Sequence, residues 1–94
     1  MQDKNFEWDD AKAAENEAKH GISFETAKLV FKNPFAIELL DDREDYGEDR
    51  FVLIGMAQGV VLTVVYTQRE ECNRLISARR ATRLEQDDYA KQET

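Results

Sequence analysis

The stretch Val60-Val61-Leu62-Thr63-Val64-Val65-Tyr66-Thr67 decides how this chain folds. It is β-branched almost throughout and apolar on both faces, so it reads as a central strand covered on two sides. Working outward, Gln58-Gly59 just before it makes a tight connection, because glycine supplies the positive φ that hairpin turns require. Phe51 to Met56 is then the preceding strand, and Phe35 to Leu40 is another, set off by the charged loop Asp41 to Asp49. On the far side, a polar loop from Gln68 to Cys72 leads into a last strand, Arg74 to Arg80. Connections this short favour an antiparallel four-stranded meander.

The remaining chain is helical apart from Asn5-Phe6-Glu7-Trp8, which alternates polar and aromatic residues as a short strand does. Asp9 and Asp10 offer an N-cap for a helix from about Ala11 to His20, and Gly21 is its stop. Ser23 caps a second helix whose stripe is Phe24, Ala27, Val30 and Phe31, ended by Asn33-Pro34. Thr82-x-x-Glu85 is a capping box that opens a final helix from about Arg83 to Lys91. The expected order is strand, two helices, four strands, helix: an α+β fold.

With 94 residues the chain makes one domain, 1–94, able to bury about 65% of its unfolded surface without metal or disulfide. The lone Cys72 forms no internal disulfide, no apolar run approaches membrane-spanning length, and the first residues lack a signal-peptide layout. The expectation is a soluble, cytoplasmic protein. The formal charge of −7 argues against bulk, non-specific nucleic-acid binding. The charge is uneven, however. Residues 69–83 hold five arginines, Arg69, Arg74, Arg79, Arg80 and Arg83, against Glu70 and Glu71. Arginine is the side chain best shaped for bidentate phosphate contact, although pairing with surrounding carboxylates on a solvated face is the plainer account.

Several segments together resemble the BrnT family of toxins from bacterial type II toxin–antitoxin systems. They are Phe6-Glu7-Trp8-Asp9, Ala18-Lys19-His20-Gly21 with Phe24 and Ala27, Val30-Phe31 before Pro34, Gly47-Glu48-x-Arg50-Phe51, and Ile76-Ser77-Ala78-Arg79-Arg80-Ala81-Thr82 with Glu85 and Tyr89. The resemblance runs over about residues 6–91 in order and spacing. It implies a RelE-like fold with helices on an antiparallel sheet, and metal-independent RNA cleavage that arrests translation. It also implies a BrnA-like antitoxin that neutralises the toxin and, in complex with it, represses their promoter; DNA is contacted only through that partner. In many members the final helix is rich in arginine and lysine, whereas here it runs Leu84-Glu85-Gln86-Asp87-Asp88-Tyr89.

Metal-free RNA cleavage needs a base for the 2′-hydroxyl proton, an acid for the leaving 5′-oxygen and a cation for the phosphorane. His20 is the only histidine, at a predicted helix C-terminus whose dipole favours its protonated form. General acid is one reading; a simple helix end, with Lys19, His20 and Gly21 as terminator, is the other. Arg79 and Arg80 are neighbours on a strand and point to opposite faces, with Arg79 favoured for phosphate contact. Arg50 offers a second cation, or else an ion pair with Asp49 or Glu48. Tyr89 stacks on a base or assists proton transfer, or else packs the last helix onto the sheet. Glu7 is a weak base candidate. With Lys19, these complete the catalytic candidates, while Arg80, Arg74 and Arg83 are candidate RNA contacts.

One histidine and one cysteine build no ordinary zinc site, and no Gly-rich phosphate loop occurs, so neither metal nor cofactor is expected. The acids Asp41, Asp42, Glu44, Asp45, Glu48 and Asp49 do not fit a calcium-loop spacing. The competing expectation is a non-enzymatic, toxin-like binding module. An exposed sheet edge would be covered by the antitoxin or by a second copy, as a homodimer, and the sequence does not choose between them.

Overall fold

The structure, a computed structural model, describes residues 5–41 and 47–92. The elements are β1 (Phe6–Glu7), α1 (Asp10–His20), α2 (Phe24–Ala27), a 3-10 segment (Lys28–Lys32), β2 (Ile37–Asp41), β3 (Arg50–Ala57), β4 (Val60–Arg69), β5 (Cys72–Arg80) and α3 (Arg83–Gln92). They build one five-stranded sheet in the order β1-β5-β4-β3-β2. As its composition requires, β4 lies in the middle, with antiparallel β3 and β5 on either side. Gln58 and Gly59 both take positive φ, 52° and 80°, as a two-residue hairpin turn with the twist of its strands demands. The acids Asp42, Glu44 and Asp45 lie outside the described residues.

The expected antiparallel meander is present as β2-β3-β4-β5, but the sheet is mixed and has five strands. Phe6 and Glu7 pair in parallel with Asn73 and Arg74, so the short N-terminal strand becomes a fifth member. Two residues carry no period of their own; the helices carry the chain from β1 to β2 at the far edge, and the pairing becomes possible only when the strands β2 to β5 have returned it to β1. The expected loop from Gln68 to Cys72 shrinks to a turn at Glu70 and Glu71, with Glu70 at a φ of 55°. The second helix is one α turn followed by 3-10. An α-helix and a 3-10 helix both bring i and i+3 to one side, so the stripe Ala27 and Val30 is fully buried either way. At Gly55 the chain passes so close that an added Cβ would stand 3.0 Å from Val30 Cγ1 and from Ala36 Cβ. A bare strand position lets this segment lie flat on β3.

α1, α2 and the 3-10 segment cover one face of the sheet, while the start of α3 lies over the other, where Glu85 meets Thr63 and Arg79. Between the layers sit Trp8, Phe24, Ala27, Val30, Leu53, Leu62, Val64, Tyr66, Leu75 and Ala78. Aromatic rings meet edge to face, Trp8 on Phe24 at 5.7 Å and Phe31 on Tyr66 at 4.9 Å. Tyr66 donates its hydroxyl to Glu38; burial first, and that carboxylate second, raise the phenol well above its ordinary range. The one buried polar side chain of α1 is Asn16. Its amide donates to the Ala78 and Ile22 carbonyls at 2.8 and 3.0 Å and its oxygen accepts from the Ala78 N–H at 3.1 Å. Beyond the two residues paired with β1, a side chain of α1 thus satisfies the β5 edge at Ala78. Among the described residues no helix is long and apolar enough to cross a membrane.

Candidate functional site

Strand alternation carries Arg79 and Arg80 to opposite faces, as their adjacency predicts. Arg79 lines a hollow on the face away from α1, walled by Leu39, Val52, Ile54, Val65 and Leu84. There it is clamped: Nη1 and Nη2 donate to the two carboxylate oxygens of Glu85 at 2.8 and 3.0 Å. Glu85 also accepts from the Thr82 N–H and the Thr63 hydroxyl, at 2.8 and 2.9 Å. The Arg79 hydrogen bonds, against the opposing effect of burial, hold the Glu85 carboxyl down at about 2. A carboxylate of the chain itself therefore occupies the fork that a phosphate would use.

His20 stands elsewhere. It is the last residue of α1, half-buried, in a hollow shared with Lys12, Glu15, Lys19, Ile76 and Ser77. Asp9 caps this helix by accepting from Ala11 and Lys12, those bonds holding its carboxyl below the usual range, and Gly21 ends it in the left-handed region at φ 72°. Lys19 and His20 consequently sit at the negative end of a properly terminated helix. Among the described residues no hydrogen bond or ion pair engages the His20 ring. On the other side of the Gly21 turn lies a hollow of about 270 Å³ that Arg80 borders. Arg80 is exposed, and among the described residues its guanidinium has no hydrogen bond or ion pair.

The other candidates disperse. Arg74 pairs with Glu7 at 3.0 Å, tying β5 to β1, so the weak base candidate and one RNA contact neutralise each other. Arg50 is half-buried in register between Asp41 and Thr67; the acid across the ladder is Asp41, while Glu48 is within 3.5 Å of Arg69. Tyr89 is 3% exposed and donates to Asn33 Oδ1 at 2.9 Å, a packing position that no base can reach while α3 stays in place. Arg83 opens α3 and is exposed. His20 and Lys19 thus share one hollow, Arg80 borders the next, and Arg79 lies on the opposite face.

Sequence reasoning missed Asn16, Glu15 and Glu17 as neighbours of the site, and the partner of Arg79. Glu85 was visible only as a capping-box residue; nothing in its spacing announces a bidentate arginine six positions back. Among the described residues no group of three His, Cys, Asp or Glu side chains could hold a metal ion.

The fold and the site define a class: a small α+β domain with a five-stranded mixed sheet between α1 and α2 on one face and the start of α3 on the other, its titratable side chains divided between the two faces. The family model for the ribonuclease toxin BrnT of type II toxin–antitoxin systems matches residues 8–85, and the chain belongs to that family. Membership makes it a ribonuclease toxin whose system includes an antitoxin. Among curated proteins none matches the chain.

Proposed function

We propose that the protein is a metal-independent endoribonuclease of the cytoplasm that arrests translation by cutting RNA and is silenced by a BrnA-like antitoxin. Family membership supports RNA cleavage, and one observation supports this site: the half-buried His20 ring, unengaged among the described residues, shares its hollow with Lys12, Lys19 and a carboxylate, Glu15. In this reading Glu15 takes the 2′-hydroxyl proton as O2′ bonds to phosphorus. The P–O5′ bond breaks as His20, protonated, delivers its proton to the leaving oxygen, giving a 2′,3′-cyclic phosphate and a 5′-hydroxyl. Lys19 and Lys12 offset charge on the phosphorane. Arg83, exposed, holds the strand, and Arg80, also exposed, contacts the RNA beside it. Arg79 contributes to phosphate binding only when Glu85 releases it.

The test is an RNA digest by the purified, antitoxin-free protein in EDTA. His20→Ala should lower cleavage by about 10²–10⁴-fold, with circular dichroism and urea midpoint unchanged; equal cleavage by the variant removes His20 from the reaction. The engaged Arg79–Glu85 pair favours a second reading, a toxin-like module that binds without cutting. Inducing the protein alone separates the two, since growth arrest accompanies only the first.

A further inference from the structure

The hollow on the Arg80 side of Gly21 has a composition that the cleavage chemistry does not explain. Ile22, Ala57 and Leu62, all buried, lie at its base, and the polar Ser23, Thr26 and Gln58 also line it. Its rim carries opposite charges, the Glu17 carboxylate and the Arg80 guanidinium, and both side chains are exposed. Two such groups around one small hollow would ordinarily close into an ion pair. Here, among the described residues, neither has a hydrogen bond or an ion pair, so they border the same space without meeting.

A hollow with an apolar base, polar walls, and an acceptor and a fork of donors held apart at its rim suits a planar ligand with donors on one edge and acceptors on another. Guanine is that ligand among the bases. Its N1–H and N2–H₂ donate to a carboxylate, and its O6 and N7 accept from a guanidinium, the commonest specific arginine–base pairing. Adenine presents an acceptor, N1, where the carboxylate needs a donor. The pyrimidines have no second edge to reach the arginine. Unpaired bases of single-stranded RNA are read on just these edges. A volume of about 270 Å³ gives room for one purine ring system. Gly21, which lines this hollow, directly follows His20, which lines the other, so the two flank the end of α1.

We propose that this hollow is a base pocket selective for guanine, with Glu17 and Arg80 as the specificity-determining residues. The proposal rests on the ribonuclease reading for its purpose, but its test does not require cleavage. The full-length protein is titrated with 2′-O-methyl heptamers UUUXUUU, which cannot be cut because the nucleophile is blocked. With X as guanine, binding should be about tenfold tighter than with adenine or uracil, as one good bidentate contact commands. Inosine, which lacks the N2 amine, should fall between. Glu17→Gln should bring guanine and adenine to within about twofold of each other. Equal wild-type affinity for all four oligonucleotides overturns the pocket, and so does a guanine preference that survives Glu17→Gln. Arg80→Gln should erase the same preference; a uniform loss across all oligonucleotides instead makes Arg80 a phosphate contact and overturns its assignment. Guanine-selective binding without cleavage sinks the proposed reaction and leaves the pocket, whereas cleavage without selectivity does the reverse.

Discussion

Glu85 does three things with one carboxylate: it caps α3 through the Thr82 N–H, accepts from Thr63 and clamps Arg79. Its carboxyl is held at about 2 against an ordinary 4.5, with the Arg79 bonds as the largest cause. A folded-state value below the unfolded one means the native state favours the ionised form, so the stabilisation is fully present above about pH 4.5 and is lost as pH falls through about 2. Glu85→Gln should therefore cost about 1–2 kcal/mol at neutral pH, since a hydrogen bond to a charged group is exchanged for a neutral one. Its urea midpoint should fall less steeply than that of the wild type on acidification, and the two profiles should converge near the acid end. Parallel profiles from pH 6 to 2 would show that the pair contributes nothing to stability. Asp9 acidifies in both proteins alike and cancels in the comparison.

The elements differ in how plainly the chain announces them. Asp9, Gly21, Ser23 and the Thr82–Glu85 box are local chemistry: each side chain or turn acts within a few residues, and all four terminate helices as read. So too for β3 and β4, where pattern and turn agree. The parallel pairing of β1 escaped because a two-residue strand has no period, and its partner lies 67 residues away, as with Glu7 and Arg74. The 3-10 continuation of α2 escaped because i and i+3 contacts look the same in both helix types. Arg79 was the favoured phosphate contact for a comparable reason: that its face is held by Glu85 is a tertiary fact. Tyr89 shows how an element decides a residue's role. With its hydroxyl on Asn33 and its ring buried, it anchors a helix that has little other apolar surface. Tyr89→Phe should lower stability by about 1 kcal/mol through the lost bond and the stranded Asn33 oxygen. RNA cleavage measured at a temperature where the variant is folded should be unchanged; a hundredfold loss there would return Tyr89 to the reacting groups.

A net charge of −7 means that RNA approaches an anionic particle and is held by a few local cations. The pairings determine which ones count. Arg79 is matched by Glu85, Arg74 by Glu7 and Lys28 by Glu25, so these add little to a phosphate's attraction. Lys12, Lys19 and Arg80 remain around the α1 terminus, and Arg83 is exposed at the start of α3. Each phosphate neutralised on single-stranded RNA contributes about −0.7 to the slope of log K against log salt. With Arg80 engaged by the base, the three contacts left, Lys12, Lys19 and Arg83, give a slope of about −2, shallow for a nucleic-acid-binding protein. The measurement is the affinity for the same uncuttable heptamers between 50 and 300 mM salt. A slope steeper than about −5 would require at least seven engaged phosphates. That would bring the arginines now paired with carboxylates into the RNA interface and move the site towards the opposite face of the sheet. Lys19→Ala should flatten the slope by about one contact, while Arg74→Ala, whose charge is already matched by Glu7, should leave it alone.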